Sequence, residues 1–176
     1  MTEVYIFDID GCIMPPIFTN FNDKEPRKNV VKEIIKNGNQ VDLFPEFINF
    51  YKRYCVHAES IYFITGRKYS EFGKLTENQL KYLKAFKIFH IIYYPEKKAH
   101  KIQEYFKWKL KEIKKIIKKT VKNKNSHETS QEKVKFYIFD DMENYFPNLR
   151  KINDHLLIQI HLRLIDSETS WNFFNL

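Results

Sequence analysis

A chain of 176 residues and 21.5 kDa, 43% hydrophobic and 16% aromatic, can fill the core of one domain, which excludes a disordered protein. No stretch approaches the roughly 20 apolar residues of a membrane span, no secretory leader opens the chain, and Cys12 and Cys55 lack metal-type spacing, so a reducing cytoplasmic setting is expected. The formal charge of +8 is uneven: Lys97 to Lys124 holds 12 lysines against Glu104 and Glu112, a local +10 that leaves the rest at −2.

In chain order, Val4-Tyr5-Ile6-Phe7 is a β-branched and aromatic run that predicts a buried strand ending near Asp8. Residues 12–41 are polar, with Pro15-Pro16, Pro26 and several asparagines, and read as an inserted loop holding a short helix near Val30–Ile35. Phe44, Phe47, Ile48 and Tyr51 form a helical stripe, with Asp42 as its N-cap and Pro45 in the first turn. Ile61 to Ile64 is a second buried strand running into Thr65-Gly66-Arg67. A helix over Thr76 to Phe86 would open on a capping box, Thr76 to Gln79.

Phe89 to Tyr94 reads as a third strand, stopped by Pro95. A long helix follows from about Ala99 to Val121, with an apolar stripe of Ile102, Tyr105, Phe106, Leu110, Ile113, Ile116 and Ile117. A polar loop spans Asn123 to Lys133. Val134 to Phe139 is a fourth strand ending in Asp140-Asp141, and Leu156 to Ile165 a fifth.

Strands alternating with helices predict a parallel sheet covered on both faces, with its chemistry beyond the carboxyl ends of the strands. Those ends deliver Asp8 and Asp10, then Thr65, then Asp140 and Asp141. Four carboxylates at one edge repel one another unless a cation sits between them, and hard oxygen donors select magnesium. The six histidines show no ligand spacing.

Asp8-Ile9-Asp10-Gly11, Thr65-Gly66-Arg67 and Asp140-Asp141, each following an apolar strand and in this order, resemble motifs I, II and IV of the haloacid dehalogenase (HAD) superfamily of phosphatases. The resemblance covers about residues 4 to 165. It implies a three-layer α/β/α sandwich, with a five-stranded parallel sheet in strand order 3-2-1-4-5, over a single domain 1–176 without a large cap. It makes Asp8 the nucleophile that carries an aspartyl-phosphate and Asp10 the general acid/base. Thr65 would hydrogen-bond the phosphoryl oxygens, and Gly11, Gly66 and Arg67 would line the substrate; for Arg67 a surface salt bridge is the alternative. Mg2+ would be held by Asp8, the backbone carbonyl of Asp10, and Asp140 or Asp141.

The family also places a lysine beside the nucleophile. Lys109 lies on the apolar stripe, which a surface lysine avoids, whereas Lys101 and Lys98 lie nearer the helix start. Lys109 is therefore the first choice, with Lys101 and Lys98 left open behind it. Phe106-Lys107-Trp108-Lys109 and the Thr-Gly-Arg form are similar to the phosphatase half of polynucleotide kinase-phosphatases. That likeness implies a nucleic-acid terminal phosphate as substrate, met by the lysine-rich helix of segment 97–124. The alternatives are a small-metabolite or nucleotide phosphatase or phosphotransferase, and a non-catalytic basic module that binds nucleic acid.

Overall fold

The computed structural model describes residues 2–16, 43–98, 101–125, 133–152, 158–166 and 168–173. The expected helix near Val30–Ile35, Asp42, Ala99 and most of the inserted loop lie outside them.

Five parallel strands, β1 (Thr2–Phe7), β2 (Ser60–Thr65), β3 (His90–Tyr93), β4 (Val134–Asp140) and β5 (Ile158–Leu164), pair in the order β3-β2-β1-β4-β5, as the sequence predicts. β1 is central, with Phe7 opposite Phe63 on one side and Phe139 on the other. The loops that leave β1, β2 and β4 therefore start at one sheet edge, and every carboxylate singled out above is carried there.

Both faces of the sheet are covered, which is why its strands read as continuous apolar runs rather than alternating ones. On one face Tyr5, Phe7, Phe63, Tyr137 and Phe139 pack against helix α1 (Pro45–Tyr54). Their rings stack across strands, Phe7 on Phe139 at 5.1 Å and Tyr5 on Tyr137 at 4.9 Å. Trp171, in a C-terminal 3-10 turn (Glu168–Phe173), closes this layer 4.9 Å from Phe47 and from Phe50. Its indole N–H donates to the Cys12 carbonyl at 2.9 Å. On the other face Val4, Ile6, Ile64, Phe136 and Ile138 meet α3 (Ile102–Asn125) and α4 (Phe146–Arg150). Among the described residues no second domain stands over the sheet, and no helix is long and apolar enough to cross a membrane.

Two helix starts differ from the sequence reading. For α1 the N-cap position falls on Phe44, which has no side-chain cap; its N–H donates to the Ile13 carbonyl at 2.9 Å, and Pro45 occupies the first turn as expected. Helix α2 runs from Tyr69 to Leu80, so Thr76 is interior and the capping box is not a helix start. The cap of α2 is tertiary. The Glu96 carboxylate accepts from the Ser70 N–H at 2.9 Å and from its hydroxyl at 2.6 Å, placing negative charge at the N-terminus.

Candidate active site

Asp8 is the first residue beyond β1, and its N–H donates to the Phe139 carbonyl at 2.9 Å, so the backbone of the neighbouring strand fixes where its side chain starts. The carboxylate is buried under α3. Lys109 sits on the face of α3 that packs on the sheet, itself fully buried, and its Nζ lies 2.6 Å from Asp8 Oδ1 while also pairing with Asp140 Oδ2. One turn earlier on the same face, the Tyr105 hydroxyl donates to Asp8 Oδ1 at 3.0 Å. Asp8 Oδ2 makes none of these bonds.

Asp140, the last residue of β4, is equally well held. Its Oδ1 accepts from the Met142 N–H at 3.0 Å, and the Tyr145 hydroxyl donates to Oδ2. Asp141 follows at the rim. A Cβ on Gly11, whose φ is +80°, would run into the Asp141 carboxylate. Only glycine allows both that backbone conformation and that approach.

Oxygens of Asp8, Asp140 and Asp141 come within 4.8 Å of one another. One ammonium against three carboxylates leaves a formal deficit of two positive charges. The electrostatics register it. Burial pushes the Asp8 carboxyl up to about 7, with Lys109 opposing and Asp140 adding to the rise. Burial, then the charges of Asp8 and Asp140, push Asp141 up to about 8. Lys109 is held well above its usual range because the two carboxylates outweigh its burial. A compact set of hard oxygen donors short of two positive charges could hold a hard divalent cation such as Mg2+, with Asp8, Asp140 and Asp141 as candidate ligands. The Cys12 thiol, buried and close to these acids, is pushed well up, first by burial and then by Asp8, which keeps it protonated.

No family model, curated protein or solved structure matches this chain. What the site can do follows from its own geometry.

Asp10 and Arg67 form a second centre. Arg67 is completely buried, and its guanidinium grips Asp10 with both prongs, Nε to Oδ2 at 2.9 Å and Nη2 to Oδ1 at 2.7 Å. Its Nη1 donates to Thr76 Oγ1 at 2.9 Å and to Gln79 Oε1 at 2.6 Å. The residues that read as a capping box therefore serve the arginine. The alternative of a surface salt bridge gives way to a buried one, in which Arg67 is a strut that joins α2 to the loop after β1. Thr65 is buried at the end of β2; its Oγ1 accepts from the Arg67 N–H at 3.1 Å, which leaves the hydroxyl proton to donate elsewhere. Gly66 lies in the turn between them.

Of the three candidate lysines, the structure brings Lys109 to the acids. Lys101 and Lys98 are exposed near the start of α3. A charged group on the buried stripe is the physical signal that separates them. Sequence reasoning missed Tyr105 and Tyr145 as site residues. Tyr105 carried a usable signal, four residues before Lys109 on the stripe, but it read as core. Tyr145 carried none.

Proposed function

We propose that this chain is a magnesium-dependent phosphomonoester hydrolase of the haloacid dehalogenase type, with Asp8 as its nucleophile. The observation that carries the reading is Asp8 itself: buried, its Oδ1 engaged by Lys109 and Tyr105, and Oδ2 outside those bonds, beside two further aspartates at the same sheet edge.

In the first step Asp8 Oδ2 attacks phosphorus, the ester P–O bond breaks, and the leaving oxygen takes a proton from Asp10. In the second, water attacks the phosphorus of the aspartyl-phosphate and gives its proton to Asp10, which frees Asp8 and releases inorganic phosphate. Lys109 and the Thr65 hydroxyl face the phosphoryl charge, and Tyr105 keeps Asp8 in the orientation for attack. Arg67 fixes where Asp10 stands. A proton on either Asp10 oxygen weakens the bond that oxygen makes to Arg67, so the two are linked through each cycle. Mg2+, held by Asp8, the Asp10 carbonyl, and Asp140 or Asp141, would neutralise the phosphoryl oxygens.

A terminal phosphate on nucleic acid is the substrate the charge distribution favours. Lys107, Lys111, Lys114, Lys115 and Lys118 line a groove along α3. A reducing cytoplasmic setting suits Cys12 and Cys55, both buried free thiols.

The test is phosphate release from a generic aryl phosphate, in Mg2+ or EDTA, for the wild type and Asp8→Asn. Turnover that needs Mg2+ and falls to background in Asp8→Asn is expected. Undiminished turnover in Asp8→Asn would exclude Asp8 as nucleophile.

A further inference from the structure

Tyr69, the first residue of α2, is 56% exposed, yet its ring is braced on two sides. One side lies over Gly73, where a Cβ would come within 2.7 Å of two ring carbons. Glycine is disfavoured inside a helix, and here the missing side chain is what seats the ring. The other brace is Tyr93, edge-on with centroids 5.2 Å apart and planes at 79°. Tyr93 is the register partner of Thr65 in the β2–β3 ladder, and the Tyr94 N–H donates to the Arg67 carbonyl at 3.0 Å. Tyr69 thus stands one ring beyond the strand position beside Thr65, at the catalytic edge of the sheet. An exposed aromatic ring held this firmly has little rotational freedom to lose when a flat partner stacks on it.

Its exposed neighbours are charged rather than apolar, with Glu71 and Glu96 among them and lysines in the majority along the segment after β3. The bonds from Ser70 to Glu96 fold the segment after β3 against the start of α2, and the Lys68 ammonium donates to the Glu96 carbonyl at 2.8 Å. Lys97 and Lys98 follow in the same turn and Lys101 soon after, all exposed. A lipid surface would meet too little apolar area here, and a small alkyl phosphate would leave the ring unused.

We propose that Tyr69 is a stacking platform for the nucleobase next to the reacting phosphate, and that the substrate is a single-stranded nucleic-acid end whose following phosphates meet Lys97, Lys98 and Lys101. This rests on the phosphatase reading of the Asp8 site. Stacking on an aromatic side chain tolerates any base, so the platform selects strands over other phosphomonoesters without selecting sequence.

The experiment measures binding in the Asp8→Asn protein by fluorescence anisotropy, with a single-stranded oligonucleotide phosphorylated at one end and dye-labelled at the other. Tyr69→Ala is expected to weaken binding about tenfold and Tyr69→Phe to leave it unchanged. An abasic terminal residue should cost the same tenfold in the protein that keeps Tyr69, an arm that still reads if Tyr69→Ala does not fold. The proposal is overturned by equal binding of intact and abasic ends, by a mononucleotide competing as well as the strand, or by no strand binding at all. Phosphate release from the same phosphorylated strand is followed in parallel with Asp8 intact. Its absence would fault the phosphatase reading, while the binding arms still decide the platform.

Discussion

Replacing Lys109 with methionine removes the buried cation facing Asp8 and Asp140 while roughly keeping its volume. Breaking one side of a buried ion pair costs about 3–5 kcal/mol, because the remaining charge stays uncompensated. Here two carboxylates lose their partner, and Asp141 stands within 4.8 Å of both. The variant can limit the loss by taking up a proton. Asp8 already stands at about 7 with Lys109 present, and without the ammonium it moves higher. A carboxyl raised in the folded state contributes stability that is complete below its unfolded value near 4 and is lost as pH rises through the folded value. The penalty should therefore be about 3–5 kcal/mol near pH 8 and clearly smaller near pH 5. Urea unfolding in EDTA at both pH values measures it. Asp8→Asn in the same chain should recover part of the loss, a coupling of about 1–3 kcal/mol in the double-mutant cycle, and Mg2+ should stabilise Lys109→Met more than wild type. A loss under about 1 kcal/mol, equal at both pH values and additive with Asp8→Asn, would refute Lys109 as counter-ion of the cluster.

In wild type without metal, the raised carboxyls of Asp8 and Asp141 should make stability fall as pH climbs from about 5 to about 8, and Mg2+ should flatten that slope in thermal melts. Arg67→Lys keeps the charge but not the fork, leaving Asp10, Thr76 and Gln79 short of donors; about 2–3 kcal/mol of stability should go, read by denaturant titration, along with turnover. Gly11→Ala should cost roughly 1–2 kcal/mol in backbone strain and weaken Mg2+ affinity by displacing Asp141, measured by calorimetric titration.

The sheet was legible in the sequence because five runs of β-branched and aromatic residues, buried on both faces, ended in turns that only a parallel order could bring to one edge. Lys109 was legible for a related reason: an ammonium on an apolar stripe needs a buried partner. Thr76 and Gln79 were not. A threonine three residues before a glutamine fits a capping box, and nothing local reveals a buried guanidinium from the preceding turn. The start of α2 at Tyr69 was hidden too, because Gly73 weakens the helical pattern and the capping group, Glu96, arrives from beyond β3. Tyr145 became a site residue through the fold of the loop after β4, and Trp171 a core residue through closure of the C-terminal turn. Long-range partners of this kind leave no periodic trace.

The central claim is that phosphate passes through Asp8. The most direct measurement is to quench a reaction of the protein with its phosphorylated substrate in borohydride, which reduces an aspartyl-phosphate to homoserine, and to read position 8 by peptide mass spectrometry. Homoserine at position 8 only when Mg2+ and substrate are both present is the result expected. Steady turnover with Asp8 unmodified, or homoserine at another aspartate, would contradict it.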